Sequence, residues 1–406
     1  MVLEAARKLQ GQIVAWRREV HQNPELGLET PMTEALVAKA LSDMGIEVRT
    51  GVGGHGVVGL LRGTGRVEQA EDGGQESAPP VKTFAIRADM DALPVTEETG
   101  LPFASKIPGR MHACGHDAHV AMLLGAAKVL SDMKDKVRGN VKFIFQPGEE
   151  GPGGAHPMIL DGALEDPKVD AIIGAHVGPL WDVGPGQIGF RTGPVMAATD
   201  RFAVRIQGKG GHGAAPHYSV DPVVIAAQIA VSLQTIVSRE VSPISPAVVT
   251  VGIIKAGTAP NIIPDYCEMN GTVRYLDKSL ASFIPRRIKE ICEGIASAMR
   301  GTATVEYTHG YPPLVNDPGM TDFVRKVAAS IVGPENCVEV QPTMGGEDMA
   351  YFLNEVPGAY FALGTRNPDK RADFPNHHPK FDIDEDVLYL GSAVFAQAAI
   401  DFLARE

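Results

Sequence analysis

Three strongly apolar segments constrain this chain more than any other feature. TFAIRADMDAL (83–93), VKFIFQPGEE (141–150) and VDAIIGAHV (169–177) each read as a short buried strand, and each ends in Asp, Glu or His. Unbroken apolar runs of this length fit strands covered on both faces. Between the first two, HDAHVAMLLGAAKVLSDM carries apolar residues at helical spacing, with Asp117 placed to cap its start. Alternating strands and helices predict a sheet with helices on both faces. In such sheets functional groups gather where the strands end, and here all three strands end in residue types that bind metals.

Upstream, residues 14–48 read as helix and VVGLLRG as a strand. The stretch GRVEQAEDGGQESAPPVK (65–82), polar and rich in Gly, Glu and Pro, reads as an exposed insertion. Near Ala198 the pattern changes. RFAVRIQG is a strand, DPVVIAAQIAVSLQTIVS a helix, AVVTVGIIKAG and DYCEMNGTVRYL two strands, LASFIPRRIKEICEGIASAM a helix and ATVEYTHG a strand. That β-α-β-β-α-β order describes a ferredoxin-like unit, after which the α/β pattern resumes to the C-terminus. The fold class is therefore α/β, with a mixed sheet flanked by helices on both faces. The expected catalytic domain comprises residues 1–197 and 311–406, interrupted by a smaller α+β domain at 198–310. A chain of 406 residues is long enough for two cores.

The formal charge of −12 excludes nucleic acid and anionic membrane as natural partners, since both need clustered Lys and Arg. An acidic protein that binds a carboxylated substrate must supply local positive charge from a metal or an Arg. The N-terminal MVLEAARKLQGQIVAWRREV reads as an amphipathic helix without secretory-signal features. No apolar run reads as long enough to span a bilayer, so the cytoplasm is the expected compartment. The four cysteines form no CxxC pair and read as reduced thiols. Cys267, Cys292 and Cys337 have apolar or strand-like neighbours, whereas Cys114 sits among histidines.

In MHACGHDAH, Cys114 and His116 flank one glycine just before a helix, a pairing that suits a borderline-soft divalent cation. The segment reads equally well as a buried cysteine beside a helix-capping histidine. His119, one turn on, reads as a packing or supporting residue, and His112 has no distinct argument in its favour. Glu149 and Glu150 end a very apolar strand, where adjacent carboxylates are costly unless a cation shares the site; the alternative is a solvated acidic turn. His176 ends the third strand, and His377 and His378 lie near the C-terminus in FPNHHPKFDIDE. Asp89 is placed to hydrogen-bond a ligand imidazole and fix its tautomer, or simply to turn the chain. Glu347 and Asp348 in MGGEDMAYF read as acids at a helix start.

The series ACGHDAH, QPGEEG, GAHVGP, GKGGHGAAPH, GTAPNIIP, MGGEDMAYF and HHPKFDIDE, spread over nearly the whole chain, resembles the metal-dependent aminoacylase and carboxypeptidase superfamily. The nearest resemblance is to its branch of bacterial N-acyl-amino-acid amidohydrolases, hippurate hydrolases and plant auxin-conjugate hydrolases. The resemblance implies two divalent ions, manganese or zinc with cobalt and nickel as alternatives. They would be held by Cys114, His116, Glu150, His176 and His377, with His377 preferred to His378 by its distance from the proline. Other branches carry an aspartate where this chain has Cys114, so the thiolate is implied as the bridge. Glu149 would take a proton from the attacking water and return it to the leaving amine. His212 would donate to the oxyanion, and Asn261 and Arg274 would hold the substrate carboxylate. The inserted domain would serve as lid and dimerisation unit of a dimer or tetramer, and the substrate would be an N-acyl amino acid or short peptide.

Carboxypeptidase, dipeptidase or N-acetyl-diaminopimelate deacetylase activity would use the same site with a different pocket. Two other classes compete. A non-catalytic metal-binding protein has no use for Glu149 as a spare carboxylate, and a thiol hydrolase using Cys114 and His116 would survive chelation.

Overall fold

The computed structural model describes residues 1–65 and 81–405; apart from its ends, the polar segment read as an insertion lies outside them. Contacts divide the chain into two compact units. The first comprises Met1–Gly193, Val315–Gln341 and Asp348–Glu406, and the second Pro194–Leu314 with Pro342–Glu347.

The first unit is built on an eight-stranded mixed sheet. At its centre Asn140–Gln146, Thr83–Asp89, Ala171–Val177 and Gly358–Leu363 lie side by side in that order, parallel to one another. All four are buried along their whole length, which is why they read as continuous apolar runs rather than alternating patterns. Glu47–Val52 and Gly56–Arg62 extend one side, and Ile188–Phe190 and Cys337–Glu339 the other. Phe84, Ile86, Phe143, Phe145 and Ile173 enter one core layer. There His116–Asp132 and Leu388–Leu403 pack on the Thr83–Asp89 strand, backed by Gln10–His21 and Pro318–Val332. Each fully buried phenylalanine there contributes about 1.5–3 kcal/mol relative to exposure. Alternate residues face the other way: Arg87 reaches Asp348, at the start of helix Met349–Glu355. That helix, with Ala155–Leu160 beside it, covers the second face.

The second unit is a four-stranded antiparallel sheet in the order Ala247–Ala256, Tyr266–Tyr275, Asp200–Gln207, Thr302–Thr308. Helices Pro222–Thr235 and Leu280–Ala298 share its core. This is the ferredoxin-like arrangement. Asp221 caps the first helix by accepting from the N–H groups of Val223 and Val224.

Three expectations are corrected. Residues 14–48 are not one helical stretch: Gln10–His21 and Pro31–Asp43 are separate helices, followed by strand Glu47–Val52. Pro31 sits in the first turn, where its missing N–H costs nothing. The Glu25 carboxylate caps that helix from outside, accepting from Met32 N–H, Thr33 N–H and the Thr33 hydroxyl at 2.9, 2.9 and 3.0 Å. Asp117 is not a cap either. Gly115, with φ +89°, holds the cap position, and buried Asp117 accepts instead from Arg17 Nε at 3.0 Å and His21 Nδ1 at 2.7 Å. Finally, Pro222–Glu240 and Glu385–Leu403 are long and apolar enough to cross a membrane. The second is packed in the core, with the Ser392 hydroxyl donating to Met122 O at 2.8 Å. The first buries Ile225, Ile229 and Leu233 against its own unit and leaves Val223, Val224 and Val231 exposed.

Candidate metal centre

Because the four central strands are parallel, their C-terminal ends share one edge of the sheet. Asp89 stands opposite Gln146, and Ala362 opposite His176. The turns leaving that edge carry Asp91, Cys114, His116, Glu149, Glu150 and His377, and His176 lies at the end of its strand. Their donor atoms form overlapping groups. Cys114, His116 and His176 lie with all ligand atoms within 4.8 Å of one another; so do Cys114, Glu150 and His377, and so do His116, Glu149 and Glu150. Cys114 is common to the first two.

The distances are those of groups facing a shared centre. Cys114 Sγ is 3.6 Å from His176 Nε2, and His377 Nε2 is 3.2 Å from Glu150 Oε1. His116 Nε2 is 4.0 Å from both Glu149 Oε2 and Glu150 Oε1. His116 Nε2 is buried without a hydrogen-bond partner among the described residues; leaving such an atom unmet costs about 1–3 kcal/mol. A thiol, three imidazoles and a carboxylate form a mixed donor set suited to divalent first-row ions. The residues fit divalent ions, which Cys114, His116, His176, Glu150 and His377 would hold.

Backbone carbonyls orient the imidazoles. His116 Nδ1 donates to Asp91 O at 2.8 Å and His176 Nδ1 to Val177 O at 2.5 Å, which turns each Nε2 inward. Burial first, then neighbouring His119, holds His176 neutral by lowering its pKa to about 3. Burial, reinforced by the Glu150 carboxylate, pushes the Cys114 thiol up to about 12. An ion must therefore displace a proton to bind that sulfur.

Asp91, which the sequence leaves without a role, organises the carboxylates. Its Oδ1 accepts the Glu149 N–H at 2.8 Å and its Oδ2 the Glu150 N–H at 3.0 Å. Asp89 bonds His119 Nδ1 at 2.5 Å and Arg87 Nη1 at 2.8 Å, and its Oδ2 stands 3.7 Å from His116 Nε2. His119 Nε2 accepts the Val177 N–H at 2.9 Å, so both its ring nitrogens are engaged in support. Asp348 does begin a helix, but its carboxylate serves elsewhere. It accepts from Arg87 and Gln146, and from the N–H groups of Gly154 and Ala155 at 3.0 Å each, bracing the segment after Glu150.

His377 has φ +69°, a conformation unusual for a side-chain-bearing residue, and its N–H donates to Ala113 O at 2.7 Å beside Cys114. His378 is turned away: its ring stacks on Phe374 and its Nδ1 accepts from the Lys380 N–H. In the second unit, His212 lies opposite Ile262 on a two-residue strand, exposed, with Nδ1 accepting the Ala214 N–H at 3.0 Å. Asn261 adjoins it through its carbonyl, which accepts the Gly213 N–H. Arg274 stands on a separate strand, half-buried, its pKa lowered by burial and then by Arg201, with no ion-pair partner among the described residues.

Known proteins resemble this chain over nearly its whole length. Residues 85–401 fit the family model described as Peptidase family M20/M25/M40. Thermostable carboxypeptidase 1 of Saccharolobus solfataricus is 43% identical over 400 residues, covering 98% of this chain and 96% of that protein. The N-acetyl-L-cysteine deacetylase of Bacillus subtilis is 41% identical over 391 residues, covering 96% and 88%. Among solved structures, the YXEP protein of Bacillus subtilis, described as a dinuclear metal-binding peptidase from the M20 family, has a TM-score of 0.83. It is 34% identical, with 98% of this chain and 99% of that one covered.

Proposed function

The chain belongs to peptidase family M20/M25/M40 and is a metal-dependent hydrolase, and from that premise we propose that it cleaves the amide bond of N-acyl-L-amino acids. The observation that carries the proposal is the meeting of two ligand groups, Cys114–His116–His176 and Cys114–Glu150–His377, at one sulfur. On this reading those five residues hold two divalent ions, manganese or zinc, with cobalt and nickel as substitutes. Ions bound there acidify a water and polarise the scissile carbonyl.

Glu149 is the general base. It is 8% exposed, and Asp91 fixes its backbone so that the carboxylate stays beside His116. It takes a proton from the attacking water as the O–C bond forms, then passes it to the amine nitrogen as the C–N bond breaks. His212 suits the developing oxyanion: with Nδ1 accepting from Ala214, its Nε2–H is left to donate. Arg274, half-buried and without an ion-pair partner among the described residues, suits the substrate carboxylate, and Asn261 shares that role. Asp89 supports the site through His119.

A second reading, cleavage of short peptides, is favoured by the carboxypeptidase named among the relatives. A panel of acetyl, benzoyl and peptidyl substrates, run with metal analysis, tests both. N-acyl amino acids should be turned over in preference to peptides, and the reverse ranking would sink the proposal.

The second unit is proposed as lid and dimerisation domain. Ala247–Ala256 is an edge strand with Ile253 and Ile254 about half exposed, beside the helix that exposes Val223, Val224 and Val231. Such an edge can pair with its own copy about a two-fold axis. Sedimentation should show a dimer that Ile254→Lys dissociates. The four free thiols fit a reducing compartment, and the cytoplasm is proposed.

A further inference from the structure

The turn that carries His377 reaches Cys114 with a second side chain. Asn376 Nδ2 lies 3.4 Å from the Cys114 carbonyl oxygen and 3.5 Å from Cys114 Sγ. Both are acceptors once the sulfur is a thiolate, and this decides the amide's orientation. The NH2 end faces Cys114, while Oδ1 is buried without a hydrogen-bond partner. Gly178, two residues beyond His176, keeps the space open. A Cβ there would sit 3.0 Å from Asn376 Nδ2 and 3.1 Å from Oδ1, and its φ of +93° suits glycine. The amide is thus wedged between the turns leaving two strands, against the sulfur that both ligand groups share.

Resting on the reading of Cys114 as the shared metal ligand, we infer that Asn376 is a positioning residue for its thiolate, donating an N–H···S hydrogen bond. The amide holds the carbonyl and the sulfur of one residue together, which fixes the side-chain rotamer and presents Sγ to both groups. It also draws charge from the sulfur, because a hydrogen bond stabilises the lone pairs that a metal would otherwise share. A neutral donor fits here better than a charged one. A lysine would set a third cation beside two, and an aspartate would oppose the thiolate. The turn therefore supplies a ligand, His377, and a hydrogen bond to another ligand from the adjacent residue.

The test uses the full-length enzyme loaded with cobalt(II), whose thiolate complexes absorb in the near ultraviolet by sulfur-to-cobalt charge transfer. Wild type should show this band and Cys114→Ser should lose it. Asn376→Leu keeps the volume without the donor; it should move the band to longer wavelength and weaken cobalt binding about 10- to 100-fold. Asn376→Asp should shift it in the same direction, and Gly178→Ala, which displaces the amide without removing it, should do so less. Circular dichroism identifies any variant that fails to fold, and the remaining variants then decide. A wild-type band that is absent, or that survives Cys114→Ser, overturns the metal-centre reading itself. A Cys114-dependent band that stays put in the folded Asn376 variants overturns this inference alone, even if their cobalt affinity falls.

Discussion

At the scale of single residues, the site separates groups that bind from groups that aim. Glu149 is aimed through its backbone by Asp91, whose two oxygens take the N–H groups of Glu149 and Glu150, while the Asp91 carbonyl takes His116 Nδ1. Glu149→Gln should therefore leave metal content unchanged and lower kcat by at least about 10²- to 10⁴-fold, the usual worth of a general base. Metal analysis beside single-turnover kinetics checks this, and retained turnover would reject Glu149 as the base. Asp91→Ala removes the acceptors of the Glu149 and Glu150 N–H groups together, so it should reduce both kcat and metal affinity, the latter about 10- to 100-fold. A kcat defect with normal metal titration would show that Asp91 aims the base alone. His116 and His176 differ from these in being aimed by main-chain carbonyls, which no side-chain substitution removes.

At the scale of elements, helix Gln10–His21 is pinned to the start of helix His116–Asp132 by buried charge. Arg17 and His21 both donate to Asp117, and Arg17 also meets Asp382 at 2.7 Å and Glu385 at 2.8 Å. Burial alone would lower the His21 pKa, but the hydrogen bond and charge of Asp117 raise it to about 9. A raised folded-state pKa means stability that is complete below about pH 6.5 and lost as pH climbs through 9. The loss is at most about 3 kcal/mol. Asp117 works in the opposite sense: burial opposes its charge, but Arg17 and then His21 hold its carboxyl far below the usual range. Its contribution is present above about pH 4 and lost only in strong acid. Melting curves between pH 6 and 10 should show wild type losing more Tm than His21→Gln; parallel curves would refute the linkage. This contact also shows what was legible in the sequence. The central strands were, because burial on both faces leaves an apolar signature that needs no partner to be recognised. Asp117 was not: an acid in the first turn of a helix looks the same whether it caps or pairs, and its partner lies a hundred residues away. Asp91 and Asn376 were illegible for a related reason, since their bonding partners include backbone N–H and C=O groups that every residue has. The break in residues 14–48 was partly visible in Pro24 and Pro31, but the cap from Glu25 depends on a fold-back that periodicity does not encode.

At the scale of the whole molecule, the proposed ligands run from Cys114 to His377 and come together only when the sheet is complete. An unfolded chain offers no comparable site, so the free energy of binding metal is added to the stability of the fold. Ions at 100 times Kd stabilise by about 2.7 kcal/mol for each independent site. Chelation should therefore lower Tm by several degrees as well as abolish turnover, and restored ions should recover both. A thiol enzyme would keep its activity. The protonation of the site sets the pH dependence of this step. Without an ion the Cys114 thiol is pushed up to about 12 by burial and by Glu150, so it is protonated throughout the neutral range. Burial opposes charge on His116 as well, but Asp89 and then Asp91 raise its pKa well above the ordinary histidine value, so it too holds a proton that an incoming ion must remove. Binding thus releases one proton from sulfur and, below the raised His116 pKa, a second from the imidazole. Apparent affinity should rise with pH, by about tenfold per unit for each proton released. Calorimetric titration of the chelated protein with zinc, in buffers of different ionisation enthalpy at pH 6.5, 7.5 and 8.5, measures both quantities. A heat independent of buffer and a Kd independent of pH would mean that the sulfur is not a ligand, and the two groups of donors would then no longer share a centre.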